Sequence, residues 1–134
     1  MPFPSRPVLI AMAGALVASC GVQDDMASTK AAVERFHVQV NDSRFSEIYS
    51  QASPIFREKS TEEELNKLLG SIRIQLGKVT NTQSEGLKID YGTDGSEATL
   101  TYRTAFEKGS AIETFIFDVS AEPPRLAGYH IASQ

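Results

Sequence analysis

The stretch Glu97–Val119, EATLTYRTAFEKGSAIETFIFDV, decides the fold. Ala98, Leu100, Tyr102, Thr104 and Phe106 alternate with Thr99, Thr101, Arg103 and Ala105. A period of two puts successive side chains on opposite faces of a strand. Lys108-Gly109-Ser110 has turn chemistry, and Ala111–Val119 returns. There Phe115, Phe117 and Val119 share one face, and Ile112, Ile116 and Asp118 share the other. Two alternating strands joined by a tight turn predict an antiparallel hairpin with one apolar face.

The strand pattern continues in both directions. Downstream, Glu122-Pro123-Pro124-Arg125 reads as a wider turn and Leu126–Ala132 as the last strand, with Tyr129 and Ile131 alternating against Gly128 and His130. Upstream, Thr93-Asp94-Gly95-Ser96 is a turn with glycine where positive φ is wanted. Leu87–Tyr91 and a polar edge piece, Val79–Ser84, precede it as separate strands.

Before Gly77 the period is helical. Val33, Phe36, His37 and Val40 fall on one face of a first helix, with Ser28 or Thr29 as its cap. Asp42 or Ser43 can cap a second, whose apolar side is Phe45, Ile48 and Tyr49. Ser53-Pro54 opens a turn or short helix. Ser60 and Glu63 have capping-box spacing, and Leu65, Leu68, Leu69, Ile72 and Leu76 stripe the helix that follows, with Gly77 as its stop. Helices first and a meander after them predict an α+β class. The expected architecture is three N-terminal helices packed on a curved antiparallel sheet of four to five strands.

The chain's beginning reads differently. Arg6 is the only charge before Asp24, and Val8–Val17 is an apolar run. A positive start, a short apolar core and small residues at its end are the parts of a secretory signal. The run is too short to span a bilayer, which takes roughly 20 apolar residues. Val17-Ala18-Ser19-Cys20 resembles the lipobox of bacterial lipoproteins, and Cys20 is the only cysteine. That resemblance implies a diacylglyceryl thioether on Cys20, cleavage before it and acylation of the new amino terminus. A thiolate is a good nucleophile for the alkylation, and more than one acyl chain is what stable anchoring needs. The expected organisation is a removed signal peptide at 1–19, a lipidated tether at 20–28 and one α+β domain at 29–134. Gly21 after the cysteine, rather than aspartate, resembles outer-membrane sorting in a cell with two membranes. The expected location is therefore the bacterial cell envelope, facing the periplasm.

Composition narrows the partners. A formal charge of −4 argues against nucleic acid, which wants a basic face. It also argues against flat binding to anionic lipid, leaving membrane contact to the anchor. With Cys20 acylated no disulfide forms, so packing alone stabilises the domain.

The helix-then-meander order resembles the cystatin-like or nuclear transport factor 2-like fold, and more closely small secreted bacterial families of unknown function that share it. The residues carrying the resemblance are Arg44-Phe45 with Tyr49, Phe56-Arg57, Thr61-Glu62-Glu63, Leu76-Gly77, Leu100-Thr101-Tyr102, Phe106-Glu107-Lys108-Gly109 and Leu126–Ser133. The resemblance implies a cone between helices and sheet, and in members that are enzymes an aspartate or histidine base inside it.

His37, on an apolar helix face, and Asp118, alternating with isoleucines, are the two candidates for such a base. Each has an ordinary reading beside it, a core histidine with one hydrogen bond and a strand-end acid facing solvent or pairing with Arg125. His37 and His130 lack a third ligand at metal spacing, so neither metal nor cofactor is expected. Phe45, Tyr49, Tyr102, Phe115, Phe117 and Tyr129 are the candidates for lining a cavity, or for filling the core. The leading expectation is a non-enzymatic envelope lipoprotein binding a partner protein or a small apolar ligand. A hydratase- or isomerase-like enzyme and a homodimeric spacer or assembly module are the alternatives.

Overall fold

The structure is a computed structural model and describes residues 20–134. The signal peptide expected at 1–19, with the first three residues of the lipobox, lies outside the described residues. Four helices come first, α1 (Cys20–Asn41), α2 (Phe45–Gln51), α3 (Pro54–Lys59) and α4 (Glu62–Leu76). Four strands follow, β1 (Val79–Gly92), β2 (Gly95–Phe106), β3 (Gly109–Asp118) and β4 (Arg125–Ser133), in one open antiparallel sheet of order β1-β2-β3-β4. The α+β class stands, with four helices rather than three. The Ser53-Pro54 segment is the added one. Ser53 Oγ accepts from the Phe56 amide at 3.3 Å and Pro54 takes the first turn, which is enough capping for a six-residue helix.

The hairpin read from alternation is built on register. Thr101 pairs with Thr114 and Leu100 with Phe115. Ala98, Leu100, Tyr102, Thr104 and Phe106 of β2 are buried, as are Ala111, Phe115 and Phe117 of β3. Against them pack Ala32, Val33, Phe36 and Val40 of α1, Ile48 of α2, Phe56 of α3, and Leu65, Leu69 and Ile72 of α4. The other face of the sheet carries Thr99, Thr101, Arg103, Ile112, Thr114 and Ile116, all partly or fully exposed.

The two expected strand pieces before the first turn are one strand. Register shifts at Val79/Asn81 and Ser84/Gly86 absorb the irregularity, as a β-bulge accommodates an extra residue without ending the ladder. At the junction of helices and sheet, Gly77 closes α4 with φ 80°. A Cβ there would stand 3.0 Å from Glu107, so glycine is required twice over.

Three helix starts differ from expectation. Residues 20–28 are not a separate leash, because α1 runs without a break from Cys20. Thr29 does not cap it. Its hydroxyl donates back to the carbonyls of Asp25 and Met26 at 2.9 and 3.0 Å, and the residue is fully buried, which places it mid-helix. Helix α2 starts at Phe45 behind Arg44, without the side-chain cap expected from Asp42 or Ser43. The α4 capping box sits one residue later than expected, with Thr61 Oγ1 accepting from the Glu64 amide at 3.1 Å and Glu64 reaching back to the Thr61 amide at 3.4 Å.

Hydrogen bonds from side chains and backbone tie the helical half to the sheet. Asn41, at the end of α1, accepts from the Val79 amide at 2.9 Å. Glu107 Oε1 accepts from the Lys78 amide at 2.7 Å. The Ser53 amide, before α3, donates to the Leu126 carbonyl of β4 at 2.8 Å. The first two turns of α1, from Gly21 to Ala27, are mostly exposed. One tie to the sheet there is the Tyr91 hydroxyl, which donates to Asp25 Oδ2 at 3.0 Å.

Candidate functional site

Glu113 is the most unusual residue of the core, a carboxylate at 1% exposure on the apolar face of β3. Alternation puts it there, because it shares parity with Phe115 and Phe117. Its side chain collects donors from three other elements. His37 Nε2 of α1 lies 2.7 Å from Glu113 Oε1. The Thr104 hydroxyl of β2 donates to the same oxygen, and the Tyr129 hydroxyl of β4 donates to Oε2. Register explains the gathering. Glu113 stands directly opposite Tyr102 and Ile131, and Thr104 and Tyr129 are each two residues away from those partners on the same face, a diagonal that hydroxyl-bearing side chains can bridge.

Burial pushes the Glu113 carboxyl up, but the hydrogen bond and charge of His37 with the two hydroxyls outweigh it, and the net displacement is downward. An ionised carboxylate only accepts, so His37 donates through Nε2–H. The Tyr129 phenol is pushed far up by burial and by the adjacent Glu113 charge, and stays protonated.

This node has the chemical parts of a histidine–carboxylate dyad, packed among aromatic rings. The His37 ring is enclosed by Phe36 and Phe115, with centroids at 5.9 and 5.7 Å and edge-on geometry. His37 lines none of the described cavities. Asp118 lies elsewhere, at the end of β3, where it accepts from the Ser120 amide at 2.9 Å. Its cleft, of about 570 Å³, is rimmed by Asp90, Asp94 and Glu97. Asp118 stands opposite Arg125 in register, and no ion pair joins them among the described residues. His130 is exposed on β4. The four side chains His37, Asp118, Tyr102 and His130 therefore do not share one open pocket. No three His, Cys, Asp or Glu side chains among the described residues gather closely enough to hold a metal ion.

The aromatics read as cavity candidates mostly fill space. Phe115 stacks on Phe117 at 6.0 Å and meets the edges of Phe36 and Tyr102 at 5.1 and 6.1 Å. Tyr129 packs on Phe36 at 4.9 Å and Phe115 at 5.2 Å. Phe45 lies against Gly70, and the Tyr49 hydroxyl donates to the Ser60 carbonyl at 3.1 Å. Tyr129 also reaches a surface cleft of about 240 Å³ with Phe56, Leu65 and Leu68. Phe117 floors a slot of about 30 Å³, room for about one water.

A further cleft, of about 460 Å³, opens at the ends of α2 and α3 and the β3–β4 loop. Arg35 of α1, Arg57 of α3 and Arg125 of β4 line it, with Ser50, Gln51, Glu122 and the prolines of the loop. Nothing in the local sequence signals it, because its arginines are far apart along the chain.

Residues 32–129 match the model of a family described as protein of unknown function (DUF4019). No curated protein matches the chain.

Proposed function

The chain belongs to the DUF4019 family, and from its residues we propose that it is a lipid-anchored lipoprotein of the bacterial cell envelope whose domain is a non-enzymatic binding module. The observation that carries the reading is Val17-Ala18-Ser19-Cys20 directly after the apolar run Val8–Val17, with Cys20 the only cysteine. Gly21 after it favours the outer membrane, facing the periplasm, in a cell with two membranes. Among the described residues no helix is long and apolar enough to cross a membrane, and in this reading membrane contact runs through the anchor.

The continuous α1 changes the geometry of attachment. A nine-residue leash would reach ~30 Å when stretched, whereas nine helical residues rise only ~13 Å. The acylated residue then sits on a helical stem and holds the domain close to the head groups. The helix-then-meander order supports kinship with the cystatin-like or nuclear transport factor 2-like folds. The packed interior leaves binding to the surface clefts rather than to a central cone, which weighs against a small apolar ligand. The enzyme alternative takes His37 or Asp118 as its base; the enclosure of His37 by Phe36 and Phe115 and the position of Asp118 in a separate cleft with other acidic residues weigh against it.

The test is metabolic labelling with a fatty-acid analogue, together with membrane fractionation. The natural chain should take up label and stay with membranes after a salt wash, and Cys20→Ala should do neither. A Cys20→Ala chain that still partitions with membranes would overturn the anchor.

A further inference from the structure

We propose that the cleft between Arg35, Arg57 and Arg125 binds a dianionic oxyanion, the phosphate group of a small phosphate ester. This deepens the binding-module reading and rests on it.

The cleft is electrostatically out of character for the chain. The protein carries a net charge of −4, yet arginines from three separate elements line one cavity, and Glu122 is the one acidic residue among its lining residues. Among the described residues none of the three arginines has an ion-pair partner, whereas Arg44 and Arg103 are paired at 3.1 and 2.8 Å. Gathering three like charges around one acidic residue leaves a repulsion that a bound anion reduces. A dianion matches the excess, and guanidinium forks fit the oxygens of phosphate.

The polar wall is prepared for the same task. Buried Gln39 donates from Nε2 to Gln51 Oε1 at 2.9 Å. Gln51 lines the cleft, and with its carbonyl oxygen occupied its amide N–H groups remain as donors. The Tyr49 hydroxyl, shared between the Ser60 and Arg57 carbonyls at 3.1 and 3.3 Å, steadies the backbone of α3 beside the cleft. A slot of about 30 Å³ that shares Arg35, Gln51 and Pro124 with the cleft is too small for an alkyl tail.

The experiment uses the full chain in non-ionic detergent. Inorganic phosphate and glycerol 3-phosphate are titrated by calorimetry, with backbone amide shifts located by NMR. A parallel arm, after removal of the detergent, measures binding to phosphatidic acid–phosphatidylcholine vesicles, whose headgroup is also a phosphomonoester, which separates a lipid headgroup from a soluble ester. Saturable binding of the soluble probes, with shifts at Gln51, Arg57 and Arg125, is the expected result. Arg57→Gln with Arg125→Gln should weaken it on the order of tenfold or more. Glu122→Gln should strengthen it, and Arg103→Gln should leave it unchanged. Arginine-dependent binding to vesicles alone would keep the site and assign its phosphate to a lipid. Absence of arginine-dependent binding in both arms, in protein with an unaltered circular dichroism spectrum, overturns the proposal. Because lipidation is read separately by the Cys20 labelling, failure of the cleft and failure of the anchor are distinguishable.

Discussion

The Glu113 node and the arginine cleft are both concentrations of polar side chains brought together by the fold, and they are opposites. At Glu113 one carboxylate, almost wholly buried, receives three donors from α1, β2 and β4. In the cleft three cations share one carboxylate in an open cavity. A buried charge with its partners in place is a joint of the architecture, because removing any partner strands the others. An exposed set of mostly like charges adds little to folding, because solvent already stabilises each cation. The contrast separates residues that hold the domain together from residues free to meet something else.

Breaking the joint should give the largest effect. Glu113→Ala leaves the His37, Thr104 and Tyr129 donors buried without an acceptor. It should cost about 3–5 kcal/mol in urea unfolding. Glu113→Gln keeps an acceptor and should cost visibly less. If Glu113→Ala unfolds like the natural chain, the node is no joint.

An intermediate effect should appear on acidification. The Glu113 carboxyl lies below its usual value of 4.5 in the folded chain, so the unfolded chain binds more protons once pH falls toward that value. Its stabilisation is therefore fully present above about pH 4.5, and is lost as pH drops through the lower, folded value. The stability gap between the natural chain and Glu113→Gln should shrink as pH falls below 4.5. A gap that widens on acidification would reverse the assigned sign.

The smallest effect should come from the cleft. Arg57→Gln and Arg125→Gln, at exposed positions, should each change unfolding free energy by no more than about 0.5 kcal/mol. A large loss from either would move the cleft into the same structural class as Glu113.

How much of this was legible in the sequence depends on the distance over which each feature is written. Alternation in Glu97–Val119 is local, and it correctly divides core from surface on β2. The same alternation, extended two residues back from Phe115, puts Glu113 on the core face. An acid on that face and His37 on the apolar face of α1 were both readable signals, but their meeting was not. It depends on which face of α1 lies over β3. The helical state of residues 20–28 was also hidden, for these residues have no apolar stripe. They are helical as an extension of a buried segment, since propagation from a formed turn is far easier than nucleation.

By itself the sequence determined the periods, the turns, most of the stops, the acidity of the chain and the lipobox-like end of its apolar run. These depend on neighbours along the chain, through the preferences of glycine and proline and the burial of one face. Tertiary structure alone decided that Glu113 is satisfied rather than stranded, that the aromatics close the interior, and that Arg35, Arg57 and Arg125 face one cavity. Those outcomes come from packing α1 and α3 against β4, and contacts between residues so far apart leave no trace in local spacing.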